Sequence, residues 1–287
     1  MGSPCVLHLY CSSAQHFDNA VAQSIAKIKK LEDQYSRYSG DSLLSEINRN
    51  AGSKKRFKLS DEFWTLLQYA NTAYSVSDGL FDITSGVLRK VWDFKSRKAP
   101  ELDKIDSILK RVGWSKIVLD KDRFYLPIVG MEMDLGGIVK EYAADLVAET
   151  LRHYGLQHGL VDMGGDIALV GPHPDNNPWQ VAISDPDGPS KAIATIPLMG
   201  GGLASSGDYQ RFIVLNDEKY THILNPKTGW PVKGLTAVSV WAPQCVVAGT
   251  LATIAMLKGE VEGKQWLQDV GCNYLTVDRS GRVNLSS

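Results

Sequence analysis

Hydrophobic positions in the first half of the chain recur at helical spacing. The first predicted helix follows the cap signal Ser12-Ser13 and has apolar residues three or four positions apart, at Phe17, Val21, Ile25, Ile28, Leu31 and Tyr35. Ser60 starts a second predicted helix, and residues 138–153 form a third. The polar stretch 36–50 between the first two is predicted to be a loop.

Strand-like runs dominate the second half. They are bounded by Gly, Asp and Pro, and lie at residues 160–163, 167–170, 179–183, 192–196, 212–215, 220–224 and 236–241, with shorter runs within 116–134. Two more helices are predicted at 248–257 and 261–268. Helices come early and strands late, without regular alternation, which predicts an α+β fold rather than a doubly wound sheet. No linker-like segment interrupts the chain, so we expect one domain over residues 1–287.

Composition and charge exclude several classes of protein. The 287 residues include 31 Lys and Arg against 32 Asp and Glu, a net charge of −1, which gives no electrostatic reason to expect a nucleic-acid partner. The uncharged apolar run 245–257 is shorter than the roughly 20 residues of a spanning helix, so no transmembrane segment is predicted.

The start of the chain bears on location. No basic and then apolar leader pattern is visible, and the four cysteines form no Cys-x-x-Cys pair, which is typical of reduced thiols. We therefore expect a cytoplasmic protein, with export and removal of a leader as the alternative.

Glycine and polar residues concentrate in five short segments, at 78–86, 134–140, 162–166, 204–209 and 221–229. Each segment alone is compatible with a simple turn. In the second, a strand ends at Asp134, two glycines follow, and a helix begins near Ile138. Free amide groups at such a helix start can hold phosphate, and Lys140 adds positive charge. The alternative for Lys140 is a solvated lysine.

His222 is the most suggestive of the six histidines. It is predicted to lie in a strand just before the turn sequence Asn225-Pro226-Lys227-Thr228-Gly229. An imidazole beside Ser and Asp residues can act as a general base near neutral pH. A hydrogen-bonded structural histidine is the alternative.

Taken in order, the five segments resemble the ApbE family of flavin transferases, FAD:protein FMN transferases. Further matching stretches are Met1-Gly2-Ser3, Ser36-Arg37-Tyr38, Ser42 to Asn48, Trp179 to Pro186 and Ala248 to Thr253. The resemblance runs from residue 1 to about residue 260. It implies an α+β body of two interlocked lobes, with mixed or antiparallel sheets, flanking helices and an FAD groove between the lobes.

The resemblance also implies an activity. Family enzymes use Mg²⁺ to split the FAD pyrophosphate and pass FMN to a Thr or Ser hydroxyl of an acceptor flavoprotein, with AMP as the leaving group. Such a displacement needs charge neutralisation, an aligned hydroxyl and a base. The expected partners are therefore FAD, Mg²⁺ and an acceptor flavoprotein.

Roles carried over from the family fall on individual residues. The matched FAD-binding positions are Met1, Tyr38, Leu80, Phe81, Asp82, Asp134, Lys140, Ser206 and Ile223. His222 matches the proposed general base, and Asp208 is assigned a supporting catalytic role. For the two aromatic residues, core packing is the alternative.

The metal site departs from the family pattern. The family's last helix supplies an Asp and a Thr to Mg²⁺, but here Gly249 stands in place of the Asp, while Thr253 and the carbonyl of Gly137 are retained. Mg²⁺ prefers hard oxygens with one or two carboxylates, so we expect weakened binding, with Asp166 or Asp208 as replacement ligands. Lesser departures are Glu141, where the family usually has Gly, and Asn225, where it usually has Asp.

Three functions stay open at this point. The first is FMN transfer to a protein hydroxyl. The second is a non-catalytic FAD-binding protein, which the loss of the acidic ligand at Gly249 favours. The third is hydrolysis of FAD to FMN and AMP, with water as the acceptor.

Overall fold

A seven-stranded antiparallel sheet forms the centre of the molecule, in the order β1-β2-β3-β6-β9-β10-β11. The computed structural model describes residues 3–94, 98–186, 188–209, 212–215 and 218–286. The strands of this sheet are β1 (Val6–Leu9), β2 (Gly159–Asp162), β3 (Ile167–Gly171), β6 (Gly202–Gly207), β9 (Leu235–Ala242), β10 (Asn273–Asp278) and β11 (Val283–Leu285). Two hairpins stand beside it, β4 (Trp179–Asp185) with β5 (Gly188–Leu198), and β7 (Phe212–Leu215) with β8 (Glu218–Thr221).

The helices precede and interrupt these strands. They are α1 (Ala14–Tyr35), α2 (Leu43–Arg49), α3 (Asp61–Val76), α4 (Leu102–Leu109), α5 (Val139–His153), α6 (Cys245–Lys258) and α7 (Glu260–Val270), with 3₁₀ helices at Ile83–Lys90 and Trp114–Lys116. Among the described residues, no helix is both long and apolar enough to cross a membrane.

Side chains along the central strands alternate between the two faces of the sheet, and each face is covered by a different layer of the fold. On β3, Ala168 and Val170 face the main core, where α5 and α6 pack, while Leu169 faces the opposite side. There the β4–β5 hairpin covers the sheet with alternate apolar residues such as Val181 and Ile183. Helices, sheet and hairpin therefore form three layers.

Helix α6 is buried nearly all around. It contacts β6 and β9 on one side and α5 and α7 on the others, and it carries small or apolar residues on every face. Its position beside α5 matters for function, because the N-terminal turn of α5 and the C-terminal half of α6 border the same groove.

Several predicted elements are confirmed. Helix α1 begins behind Ser13, whose hydroxyl accepts a hydrogen bond from the amide of His16, and α3 begins behind Ser60 in the same way. Helices α5, α6 and α7 lie where hydrophobic spacing placed them. The α+β class is confirmed, and the paired strands of the described residues are antiparallel rather than mixed.

Other predictions are wrong. The expected loop at 36–50 contains α2, which Ser42 caps and which buries Leu44 and Ile47. Residues 116–134 form isolated bridges, such as that between Val118 and Tyr125, instead of strands. Strand β8 ends at Thr221, so His222 lies just after a strand and not within one.

Asp145 joins the two helices that border the groove. Its carboxylate, on α5, accepts hydrogen bonds from the amides of Cys245 (2.8 Å) and Val246 (2.9 Å), at the N-terminus of α6. Gln244, the N-cap of α6, makes no side-chain cap bond, so Asp145 satisfies amides that the helix itself leaves open.

We predict that Asp145→Ala lowers the free energy of unfolding by about 1–2 kcal/mol, the usual value of a lost N-cap. Asp145→Asn keeps one acceptor oxygen and should lose less. Urea denaturation measures both variants. The exposed Asp18→Ala in α1 is the control and should stay within about 0.5 kcal/mol of the parent. An unchanged Asp145→Ala would contradict the capping role.

Candidate functional site

A groove of about 670 Å³ lies between the N-terminal turn of α5, the C-terminal half of α6, the loop after β8 and the chain around Tyr38. Its lining comes from stretches within residues 32–38, 80–86, 134–141, 205–207, 222–224 and 253–257. Four of the five glycine-rich segments singled out in the sequence contribute to it. The volume is in the range of sites for cofactor-sized ligands.

Tyr38 and Arg37 form one wall. Tyr38 is 72% exposed, so it is not a core residue. The guanidinium of Arg37 stacks over the Tyr38 ring at 4.6 Å and also pairs with Asp134, with 2.9 Å between Nη1 and Oδ2. An aromatic face and a cation are thus presented together, which suits a planar anionic ligand.

Asp134 is fixed on several sides. Its Oδ1 accepts the amide of Gly136 at 2.9 Å, and its own amide donates to the carbonyl of Ile83. Gly86 permits this approach, because a Cβ there would lie 2.4 Å from Cβ of Asp134. The Asn48 side chain further holds the preceding residue, Met133, by two backbone hydrogen bonds.

Leu80, Phe81 and Asp82 line the floor. They follow a turn in which Asp78 and Gly79 both have positive φ. Both oxygens of the Asp82 carboxylate accept internal hydrogen bonds, Oδ1 from Thr84 and Oδ2 from the amide of Trp114. The Asp82 side chain therefore holds the loop in shape.

The N-terminus of α5 opens into the groove. Gly136, Gly137, Val139 and Lys140 line the groove there, and no side chain caps this end of the helix. Backbone amides and the positive end of the helix dipole suit a phosphate group at this position.

Two buried carboxylates and a half-buried lysine lie together at the inner end. Glu141 is 7% exposed and Asp166 is 2% exposed, and Lys140 is ion-paired with Oδ2 of Asp166. Burial and the nearby Asp166 carboxylate raise the pKa of Glu141 to about 8, although Lys140 opposes the shift. Burial lowers the pKa of Lys140, but Asp166 and Glu141 outweigh it and leave that pKa raised.

Helix α6 contributes the Thr253 side chain and, at Gly249, a position without a side chain. The Thr253 hydroxyl lies 2.8 Å from that of Ser206 on β6, and both line the groove. One turn earlier, Gly249 is packed against Glu141, so that a Cβ on Gly249 would lie 2.7 Å from Cγ of the glutamate. The carboxylate of Glu141 therefore fills the space beside residue 249.

The loop after β8 brings His222 and Ile223 to the groove. The turn that follows is closed by the Gly229 amide, which donates to the Asn225 carbonyl, and by Val232, whose amide donates to Ile223. His222 is half-buried and Ile223 packs against the main core.

Asp208 lies elsewhere. It is 4% exposed, is absent from the groove lining, and accepts a hydrogen bond from Lys219 of β8 at 2.8 Å. Its observed contact therefore secures the β7–β8 hairpin that leads to His222. Its catalytic role stays a prediction that this placement does not favour.

The groove brings together most of the predicted site residues, namely Tyr38, Leu80, Phe81, Asp82, Asp134, Gly137, Lys140, Ser206, His222, Ile223 and Thr253. Met1 lies outside the described residues. Arg37 and Glu141 were not predicted to take part, although both stand next to predicted residues. Arg37 could have been predicted, because it is a positively charged residue inside the matched motif Ser36-Arg37-Tyr38.

Comparison with known proteins agrees with this geometry. The family model described as "ApbE family" matches residues 1–276. The chain belongs to the ApbE family. The predicted family resemblance is confirmed over almost the whole chain.

Relatives and solved structures of this ApbE family support the assignment. The FAD:protein FMN transferase of Haemophilus influenzae is 32% identical over 82% of this chain and 71% of its own length. That of Vibrio cholerae is 30% identical over 82% and 72%. The crystal structure of the Thermotoga maritima ApbE protein aligns with a TM-score of 0.91 at 26% identity, covering all of this chain and 94% of the other. The apo flavinyl transferase ApbE of Pseudomonas stutzeri gives 0.88 at 27%, covering 100% and 92%.

The inner end of the groove of this ApbE-family protein offers oxygen ligands. Among the described residues, no group of three or more His, Cys, Asp or Glu side chains is placed to hold a metal. Oε2 of Glu141 is nevertheless buried and meets no hydrogen-bond donor. Such a site matches a hard cation that shares its shell with hydroxyls and substrate phosphates.

The raised pKa of Glu141 predicts how stability changes with pH in metal-free protein. Between the ordinary pKa of 4.5 and about 8, the folded protein keeps a proton that the unfolded chain releases. This contribution to the free energy of unfolding is complete below about pH 4.5 and is lost as pH rises to about 8. Its slope is at most about 1.4 kcal/mol per pH unit.

Urea denaturation in EDTA between pH 5 and 8.5 measures this effect. We predict that the free energy of unfolding falls less steeply with pH for Glu141→Gln than for the parent, because glutamine does not titrate. Parallel curves for the two proteins would contradict the shifted pKa.

Proposed function

We propose that this chain is an Mg²⁺-dependent FAD:protein FMN transferase that moves FMN from FAD to a Thr or Ser hydroxyl of an acceptor flavoprotein and releases AMP. The single observation that carries the proposal is the groove, in which an apolar and aromatic floor adjoins an uncapped helix N-terminus and a lysine. The names of the relatives agree with it.

The groove divides into two chemical environments that match the two parts of FAD. Leu80, Phe81 and Ile223 offer apolar surface, and Tyr38 offers an exposed ring, which together suit the planar flavin. Lys140 and the first amides of α5 offer positive charge to the pyrophosphate. Asp134, held by Arg37, provides hydrogen-bond acceptors for the sugar or base.

His222 is placed to serve as the general base. It stands in the groove lining beside Ile223, on a loop that is fixed by its own turn. In the proposed reaction the acceptor hydroxyl loses its proton to His222 while its oxygen bonds to the FMN phosphorus. The bond from that phosphorus to the AMP oxygen breaks, and AMP leaves with the electron pair.

The Gly137 carbonyl and the Thr253 hydroxyl are the groups that this proposal assigns to the metal ion. Mg²⁺ bound there would neutralise negative charge on the pyrophosphate and so favour departure of AMP. Ser206, 2.8 Å from Thr253, orients that hydroxyl, and Lys140, ion-paired with Asp166, also lines the groove.

The proposed activity is tested by incubating the protein with FAD and Mg²⁺, with and without an acceptor flavoprotein whose flavin is attached through Thr. We expect AMP and a fluorescent acceptor band on a denaturing gel only when the acceptor is present. AMP release without acceptor would indicate hydrolysis. Bound FAD without any AMP would indicate a carrier, and either result would contradict the proposal.

We predict that His222→Ala lowers the rate of FMN transfer by about 10²–10⁴-fold, the usual contribution of a general base, while FAD affinity is unchanged. Single-turnover transfer and fluorescence titration of FAD measure the two effects. His153→Ala, exposed on α5, is the matched control and should transfer at the parent rate. A near-normal rate for His222→Ala would exclude this base.

A further inference from the structure

Glu141 and Gly249 occupy complementary positions on two neighbouring helices. A Cβ on residue 249 would lie 2.7 Å from Cγ of Glu141, which is closer than real Cβ atoms come to other groups, and 3.1 Å from its Cδ, which is a tight contact. Only one of the two positions can therefore carry a side chain without rearrangement. In this chain the side chain comes from α5, and α6 leaves the room for it.

The side chain that fills this room ends in an unsatisfied oxygen. Oε2 of Glu141 is buried, finds no hydrogen-bond donor, and belongs to a residue that lines the groove. The second carboxylate, Asp166, lies within hydrogen-bonding reach of Glu141 and is itself buried. A buried carboxylate oxygen without a donor is costly unless a cation or a proton satisfies it.

Acidic side chains outnumber basic ones in the cluster of Glu141, Asp166 and Lys140. Lys140 is ion-paired with Asp166, so its charge is directed to that carboxylate. Two buried carboxylates thus face one ammonium group. The hydroxyls of Ser206 and Thr253, which line the same groove, lie 2.8 Å apart and bond to each other. When both carboxylates are ionised, a positive ion drawn from the groove would balance the second charge.

We propose that Glu141, with Asp166 behind it, supplies the acidic ligand of the divalent cation in this groove, in the space left by the missing side chain of residue 249. The inference rests on the proposed function only for the identity of the cation. The Glu141 carboxylate, the Thr253 hydroxyl and substrate phosphates form a set of hard oxygens of the kind that Mg²⁺ prefers.

The proposal reverses one expectation from the sequence. In the sequence alone, Gly249 leaves the ion without its acidic ligand, and Glu141 is only a lesser departure from the family pattern. Because Glu141 and Gly249 are in contact, the two departures from the family pattern are linked. The carboxylate that the family has on α6 is supplied here by α5.

Binding of Mn²⁺, used as a probe for Mg²⁺, tests the exchange without any assay of activity. Electron paramagnetic resonance measures free Mn²⁺ during titration at a single pH, with and without FAD. We expect Glu141→Gln to weaken Mn²⁺ by at least about tenfold. Glu149→Gln, exposed on the same helix, is the matched control and should bind as the parent does. Parent-like affinity in Glu141→Gln would overturn the proposal.

A paired swap sharpens the test. Gly249→Asp alone should not improve binding, because the new side chain meets Glu141. Glu141→Gly together with Gly249→Asp should bind at least about tenfold more tightly than Glu141→Gly alone, since a carboxylate returns from α6. If Glu141→Gly alone binds Mn²⁺ like the parent, the proposal is wrong.

Folding of each variant is checked by thermal melting. Should Glu141→Gln not fold, Glu141→Asp replaces it, because the retracted carboxylate should also weaken Mn²⁺, whereas unchanged affinity would contradict the proposal. Failure of the proposed function gives a different pattern. If only the proposed function is wrong, Mn²⁺ affinity still depends on Glu141 but no FMN transfer occurs. If FMN transfer occurs and Mn²⁺ affinity does not depend on Glu141, only this inference is overturned.

Discussion

The contact between Glu141 on α5 and the bare backbone of Gly249 on α6 constrains much of the site. It lets a carboxylate enter the space between two packed helices, where water cannot solvate it. A carboxylate in such a place must find a proton, a lysine or a metal ion. The chain provides Lys140, but pairs it with Asp166, so Glu141 is left to hold a proton or a metal ion.

The fold holds helices α5 and α6 in place from several directions. Asp145 ties α5 to the first amides of α6, and the antiparallel sheet supports both helices through β3, β6 and β9. The other side of the groove consists of loops held by hydrogen bonds, from Trp114 to Asp82 and within the turn of Asn225. A charged inner end on rigid helices and an apolar floor on anchored loops suit a ligand with a pyrophosphate and a flat ring.

Much of this could be predicted from the sequence, because the signals are local. The apolar spacing of α1, with Ser13 before it, and the glycines that follow Asp134 specify their structures within a few residues. Helix α2 was missed because seven residues give little periodicity, although Ser42 caps it. Strand β6 was missed as a strand because Gly202 and the serines have low strand propensity, and burial between β3 and β9 decides its conformation instead.

The partnership of Glu141 with Gly249 could not be derived from the sequence. The two residues are far apart along the chain, and each one looks like an independent loss or gain relative to the family pattern. Only the packing of α5 against α6 joins them. The position of Asp208 could not be derived from the sequence either. Its motif indicated a place in the groove, but its carboxylate pairs with Lys219.

We expect the inner end of the groove to hold a divalent cation through Glu141, next to the phosphates of FAD. Anomalous diffraction from crystals grown with FAD and Mn²⁺ locates this cation. A manganese peak is expected about 2.0–2.5 Å from a Glu141 oxygen and in contact with the pyrophosphate. A peak elsewhere, with Glu141 still packed against Gly249 and free of metal, would contradict it.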